Sequence, residues 1–370
     1  MRPSPLVVAF AVFGMAWGAW QAALPDLAAH YGLTPGPLGV LLTAGFAASL
    51  PVMLLTGRLL DRLGAGWAIG ITGMAMAGGL AAAGLLPPAA WLVMAVVAFA
   101  SGSGAFDVAI NGTAMTDEVW RRPARLTLLH AAFSGGGLAG ALAAGALIGA
   151  GAPFQLIYLG LAGLLLAVAA IAGTARWSLP SAGGSVPLAI AVAMLPLAGL
   201  AALAFLVEGS METWSAIFLR RELDAVAFVG ALGPAAFHGA MLAGRLVGAG
   251  LARGLGASTT LLVAGTMTVG GMAVALLVPS AGPAIIGMGV AALGASFVVP
   301  VVVSLAAARA GAFAGRAASY VLSLGYAGFL VGPSLVGIVA EVAGLHAALA
   351  VVPIAAAVIA AASRTRVARG

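Results

Sequence analysis

The chain contains no cysteine and no lysine; all sixteen basic residues among its 370 are arginine. Without cysteine there is neither a disulfide nor a thiolate metal site. Without lysine the phosphate-gripping motif G-x-x-x-x-G-K-[ST] cannot be written, so ATP at such a loop does not supply the energy. Histidine occurs four times and never in the H-E-x-x-H spacing of a helical zinc site. The run Ser101-Gly-Ser103-Gly104 has no glycine two residues ahead of either serine, so it is not a nucleophile elbow. Neither an enzyme nor a bound cofactor is expected. Charge is scarce as well, at 7% of residues.

What fills the chain is apolar: 63% of residues are hydrophobic and 54 are glycine. No soluble domain needs that much apolar surface, whereas each helix that crosses a bilayer needs about 20 apolar residues. The glycines suit helices packed closely in lipid. The net charge of +6 does not gather into one basic patch, so no nucleic-acid partner is expected, and the arginine bias reads as a coding preference. Arg2, an apolar stretch and small residues near Ala22 and Ala23 resemble a signal peptide. An uncleaved first span is the better reading, because the stretch from Leu6 to Leu24 is long enough to cross.

Apolar runs predict spans at 6–24, 37–56, 67–86, 90–113, 126–150 and 154–174. Six more follow at 190–217, 225–248, 258–278, 283–306, 316–339 and 346–363. Arginine distribution then gives orientation, since cytoplasmic loops carry the positive excess. The termini and even-to-odd connections hold Arg2, Arg58, Arg62, Arg121, Arg122, Arg125, Arg176, Arg245, Arg253, Arg309, Arg316, Arg364, Arg366 and Arg369. The other side holds only Arg220 and Arg221. Both termini are therefore expected in the cytoplasm, with the chain in a bacterial inner membrane.

The halves resemble one another. "TGRLLDRLG" (56–64) recurs as "AGRLVGAGLARGLG" (243–256), with Gly248 set opposite Asp61. "FGMAWGAWQAALP" (13–25) parallels "FLVEGSMETWSAIF" (205–218), and "FSGGGLAGAL" (133–142) parallels "LGYAGFLVGP" (324–333). This predicts an all-α integral membrane protein whose twelve transmembrane helices form two six-helix pseudo-repeats. The first bundle covers 1–174, the Pro/Gly/Ser-rich 175–187 is a cytoplasmic linker, and the second bundle covers 188–370. Parallel repeats of this kind build secondary transporters with a substrate site near the midplane at the repeat interface.

Gly57-Arg-Leu-Leu-Asp61-Arg62-Leu-Gly64 resembles the cytoplasmic signature of the major facilitator superfamily, G-x-x-x-D-R-x-G, and with the two halves the resemblance spans the chain. The basic pair that usually follows is replaced by Ala65-Gly66. Residues 106–141, 208–219 and 325–341 are similar to the rhizopine-transport-type branch, itself distantly similar to the fucose–proton symporters. The resemblance implies the major facilitator fold, alternating access and a small-molecule substrate, with proton coupling and a monomeric state expected. Gly328-Phe-Leu-Val-Gly332-Pro333 is similar to the antiporter motif G-x-x-x-G-P, but that motif belongs in the fifth span, where Gly135-Gly-Gly-Leu-Ala-Gly140 has no proline.

The polar residues inside the spans are the candidates for function. An acid in hydrocarbon is expensive and faces protein or a watery cavity. Glu208, set near the middle of the seventh span by the repeat, is the leading proton-coupling residue, because a sheltered carboxyl group can take up and release a proton near neutral pH. Glu212, one turn further, and Asp107 are the other proton-coupling candidates. Asp107 shares a stripe with Gly104 and Asn111, and His130 begins the next span on the same side. Trp17, Gln21, Asn111, His130, Trp214, His238 and Tyr326 are candidate substrate contacts, through aromatic stacking and amide or imidazole hydrogen bonds. Gly57, Asp61, Arg62 and Gly64, with Asp117 and Glu118 as partners of Arg62, are expected to gate the cytoplasmic side. The function expected is proton-coupled symport of a small polar metabolite, sugar-like or related; the alternative is a proton-antiporting exporter of drugs or amphipathic metabolites.

Overall fold

A computed structural model describes residues 5–85, 88–114, 123–174, 187–365 and 367–368. Among these residues every regular element is helical. Twelve helices among the described residues are long and apolar enough to span a membrane. They are α1 (Pro5–His30), α2 (Pro35–Leu60), α3 (Ala65–Gly84), α4 (Ala89–Ala114), α5 (Thr127–Gly149) and α6 (Phe154–Gly173). After them come α7 (Leu188–Glu222), α8 (Ala227–Gly248), α9 (Gly254–Leu277), α10 (Ala281–Ala310), α11 (Ala314–Ala343) and α12 (Leu345–Ala362). Leu54, Leu188 and Val342 are 78%, 79% and 88% exposed, apolar surface that only lipid covers without cost.

The chain divides into two compact units, residues 1–182 with 226–231 and residues 183–225 with 232–370. Residues 175–186 of the expected linker lie outside the described residues.

In the first unit, α1 and α5 meet backbone to backbone. A Cβ on Gly14 would overlap the carbonyl of Phe133, and one on Gly18 the carbonyl of Gly137. Reciprocally, Gly136 abuts the Ala11 carbonyl and Gly140 the Met15 carbonyl. Each helix thus offers glycines four residues apart, the spacing that brings two helices into closest contact in lipid. The second unit repeats the device more sparingly, with Gly328 of α11 against the Ala202 carbonyl of α7. Its core is Met194, Leu197 and Ala201 of α7 packed with Val298, Val301 and Val302 of α10 and Val321 of α11.

Turn glycines fix how the halves correspond. Gly64 has φ 81 and ψ 163, and Gly256 has φ 75 and ψ 162, a region open to glycine because it lacks Cβ. They are 192 residues apart (256 − 64). Gly151 and Gly344, at φ 91 and 83, are 193 apart (344 − 151). Two turns therefore agree on an offset that the sequence comparison missed by five residues for this motif. Arg253, not Gly248, occupies the position of Asp61. Arg245 corresponds to Met53, well inside a span, so it does not belong to the cytoplasmic tally. Without it the termini and even-to-odd connections hold thirteen arginines (14 − 1) and the odd-to-even connections two.

Proline accompanies two of the breaks. The helix of α10 is interrupted at Ser296 and Phe297, four and three residues before Pro300, where the ring displaces the carbonyl it would meet. α12 is interrupted at Ala350, ahead of Pro353. Conversely, α7 runs for 35 residues, about 52 Å at 1.5 Å per residue, and outlasts the hydrocarbon core. It ends at a turn where Asp224 takes φ 48, a left-handed conformation that aspartate tolerates better than most residues.

Candidate functional site

In the first unit, Trp17 of α1 donates its indole N–H to Ser103 Oγ of α4 at 3.0 Å. Its ring lies parallel to Phe46 of α2, with centroids 6.1 Å apart and 5° between planes, and is tilted over Phe99 at 5.5 Å. Three helices therefore hold one half-buried indole face, since the N–H of a sheltered tryptophan needs an acceptor to fix it. One turn along, Gln21 is 2% exposed. Trp20 points elsewhere and stacks on Tyr158 of α6, with centroids 5.1 Å apart.

Ser103→Ala is expected to lower the stability of the folded chain by about 1 kcal/mol, the net worth of one such bond. Thermal unfolding in detergent reads this as a lower midpoint. An unchanged midpoint would show that the indole finds another acceptor.

Asp107 and Asn111 come together on α4. The Asn111 amide donates to the Asp107 carboxylate at 2.8 Å and to its backbone carbonyl at 3.0 Å. Four residues apart, they are one turn apart on the same face, and both are half-buried. His130 of α5 meets Phe10 of α1 edge-on at 5.6 Å. The stripe predicted at Gly104, Asp107 and Asn111 runs beside α2, because a Cβ on Gly104 would lie 3.0 Å from Met53 Cγ.

In the second unit, Glu208 is 6% exposed and lies three residues from Phe205, the central residue of α7. Glu212 is one turn away and half-buried. Both carboxyl groups lie within Coulombic reach of Arg245 on α8, as does the phenol of Tyr326 on α11. His238 of α8, 1% exposed, also feels Arg245 and packs its ring edge-on to Phe237. Tyr326 is half-buried and joins an aromatic trio, 5.0 Å from Phe205 and 5.8 Å from Phe329. Trp214 is fully buried, and among the described residues its indole N–H has no hydrogen-bond partner; the same holds for the hydroxyls of Ser210 and Ser215.

The gate residues are described only in part. Gly64 makes the left-handed turn into α3, and a Cβ on Gly57 would meet open space. Arg62 is exposed. The side chain of Asp61, with Asp117 and Glu118, lies outside the described residues.

Arg245, Ser103 and Phe46 were absent from the sequence-derived candidates. Arg245 left a signal, since it falls inside the predicted span 225–248 and shares a helical face with His238 seven residues earlier. An arginine inside a span pairs with an acid or with backbone carbonyls, and the neighbouring span holds two acids, Glu208 and Glu212.

No protein-family model matches the chain. It is 31% identical over 368 residues to an uncharacterised MFS-type transporter of Yersinia pestis, covering 96% of this chain and 94% of that one. The chain belongs to the major facilitator superfamily. It is also 30% identical over 353 residues to the membrane protein MosC of Rhizobium meliloti, covering 92% of this chain and 85% of that one. Among solved structures, a bacterial homologue of the human lysosomal transporter Spinster superposes with TM-score 0.76 at 15% identity, over 98% of this chain and 96% of that one. The nucleoside transporter NupG gives 0.74 at 15% identity, over 97% of both chains. A variant of the E. coli fucose:proton symporter FucP gives 0.65 at 16% identity, over 98% of this chain and 97% of that one. The protein is a multi-pass membrane transporter with the major facilitator fold.

Proposed function

We propose that this transporter is a symporter that carries a small polar metabolite, sugar-like or related, together with a proton across the inner membrane by alternating access. The observation that carries the reading is Glu208, a carboxyl group 6% exposed near the centre of a 35-residue helix. Such a group has no use as a packing element and is costly as a bare charge in a bundle that must move. Protonation removes that cost, and deprotonation on the other side restores it. Each unit adds polar and aromatic groups suited to a hydroxylated solute: Trp17, Gln21, Asp107, Asn111 and His130 in the first, Trp214, His238 and Tyr326 in the second.

Gly57, Asp61, Arg62 and Gly64 at the α2–α3 connection, with Asp117 and Glu118 past α4 as partners of Arg62, form the gate on the cytoplasmic side, and the chain works as a monomer. Thirteen arginines against two support cytoplasmic termini. The test is uptake of a labelled panel of sugars, polyols, nucleosides and amino acids into proteoliposomes with the interior made alkaline. One panel member accumulating only with the gradient supports symport. Efflux stimulated by the opposite gradient, with no uptake, points to antiport instead.

Asp107 is assigned to a water-filled path open to the cytoplasm. The chain has no cysteine of its own, so Asp107→Cys provides a unique thiol. In inside-out vesicles it is expected to react with a membrane-impermeant maleimide, and prior substrate is expected to slow that reaction. A thiol that stays unlabelled in both vesicle orientations assigns Asp107 to packing.

A further inference from the structure

Four ionisable groups of the second unit, Glu208 and Glu212 on α7 and His238 and Arg245 on the antiparallel α8, gather within Coulombic reach of the Arg245 guanidinium. A Cβ on Gly233 of α8 would sit 2.9 Å from Ser215 Cβ of α7, which pins the two helices together at that level. From there Glu212 and Glu208 follow along α7, three and seven residues before Ser215, on the same helical face. His238 and Arg245 follow along α8, five and twelve residues past Gly233. At 1.5 Å per residue the Cα of Arg245 is about 7 Å deeper than that of Glu208. Helical side chains lean toward their own N-terminus, so Arg245 leans back along α8 while Glu208 leans inward along α7. The two converge, and Glu212 is the next group outward. The phenol of Tyr326 on α11 also lies within Coulombic reach of the guanidinium. The charged groups on the other neighbours are engaged elsewhere. Arg309 of α10 donates to the Val367 carbonyl at 2.7 Å, and His346 of α12 meets Glu222 at 2.9 Å.

We propose that Arg245 is the counter-ion of the Glu208–Glu212 pair, and that these three side chains together hold one exchangeable proton. This rests on the reading of Glu208 as the coupling site and specifies how many protons that site holds. The charges decide the number. Two carboxylates and one guanidinium leave a net −1 in a sheltered interior, where an unpaired charge is costly. One proton from water, forming one O–H bond on either carboxylate, brings the seam to zero. A second would leave the guanidinium unpaired. His238 counts as neutral, because an imidazolium there would set a second cation beside Arg245. Glu212, the outer member, receives the proton first and Glu208 holds it deeper, while the positive Arg245 closes the inner end. Arg245 is a positioning residue, which acts by fixing how the pair titrates.

The test is infrared difference spectroscopy of the full chain in liposomes without substrate, the bulk proton being the probe. The C=O stretch of protonated carboxyl groups is read against a Glu208→Gln/Glu212→Gln baseline. At neutral pH the native chain is expected to show one protonated carboxyl above that baseline. Glu208→Gln alone and Glu212→Gln alone are each expected to lose it, since the remaining carboxylate then pairs with the guanidinium. Arg245→Gln is expected to double the band, and Arg245→Lys to return it to one. An Arg245→Gln band equal to the native one overturns the proposal, as does a full band persisting in both single glutamate variants. If Arg245→Gln fails to fold, the two glutamate variants decide by that same criterion. If the bands follow the expected pattern while Glu208→Gln still accumulates substrate along a pH gradient, the counter-ion assignment stands and the coupling reading falls.

Discussion

Glu208→Gln is expected to abolish accumulation driven by a pH gradient while leaving substrate binding and substrate–substrate exchange in place. Glutamine has the shape and hydrogen-bonding capacity of a protonated glutamate but cannot lose a proton. The variant should therefore cycle with substrate bound, which exchange requires, and gain nothing from the gradient. One proton moving through 100 mV supplies about 2.3 kcal/mol. That corresponds to roughly 50-fold accumulation, because each tenfold costs about 1.4 kcal/mol. The expected result is a fall from that level to equal concentrations inside and out. Counterflow of labelled substrate against an unlabelled internal pool, run in the same proteoliposomes, reads the retained activity. Full gradient-driven accumulation in the variant removes Glu208 as the carrier. Loss of counterflow as well assigns it to direct substrate contact.

The prominence of Glu208 in the sequence and the obscurity of Arg245 have the same origin. Hydropathy reads a span by averaging, so a single acid in an apolar run stands out, whereas an arginine near the end of a run is absorbed into the adjoining loop. Averaging therefore places Arg245 with the cytoplasmic loop. The repeated Gly-Arg pair, at 57–58 and 244–245, pulls the two loop copies in the same direction, away from the register of the turn glycine at 256. Backbone conformation corrects this, since left-handed φ at Gly64 and Gly256 marks equivalent turns whatever the side chains are. The end of α7 shows a related limit. The apolar run was expected to stop at 217, yet the helix continues to Glu222 through Arg220 and Arg221. Charged residues end a hydrophobic window without ending a helix, because their long side chains reach water while the backbone keeps its hydrogen bonds.

The contacts of Trp17 were beyond the sequence for a different reason. Its partners Ser103 and Phe46 are 86 and 29 residues away on other helices. Periodicity assigns a residue to a face of its own helix, but it does not say which residue of which neighbour stands opposite. Asp107 and Asn111 were legible together because they lie one turn apart on one helix, and that distance follows from helical geometry alone.

The second large effect concerns glycines that the sequence shows within repeat motifs, but whose partners across the α1–α5 contact it does not show. Gly18→Leu is expected to prevent the first unit from packing. The position corresponding to Cβ is already occupied by the carbonyl of Gly137, so even a methyl group requires backbone to move. The contact is shared by Gly14, Gly136 and Gly140 along the same two helices, and α1 cannot slide away at one point without opening the others. Overpacking a tight interface typically costs about 1–3 kcal/mol, and more where backbone must give way. Parting these helices also loses the close van der Waals contact that drives association in lipid, where no hydrophobic force draws two helices together. The measurement is the fraction of protein recovered as a monodisperse peak after solubilisation, followed by thermal unfolding. Gly18→Leu is expected to lose most of that peak, and Gly18→Ala to keep a reduced peak with a lower midpoint. Gly78→Leu, at a position on α3 where an added Cβ meets open space, is the control and is expected to behave as the native chain. If Gly18→Leu and Gly78→Leu unfold alike, the α1–α5 seam does not hold the first unit together.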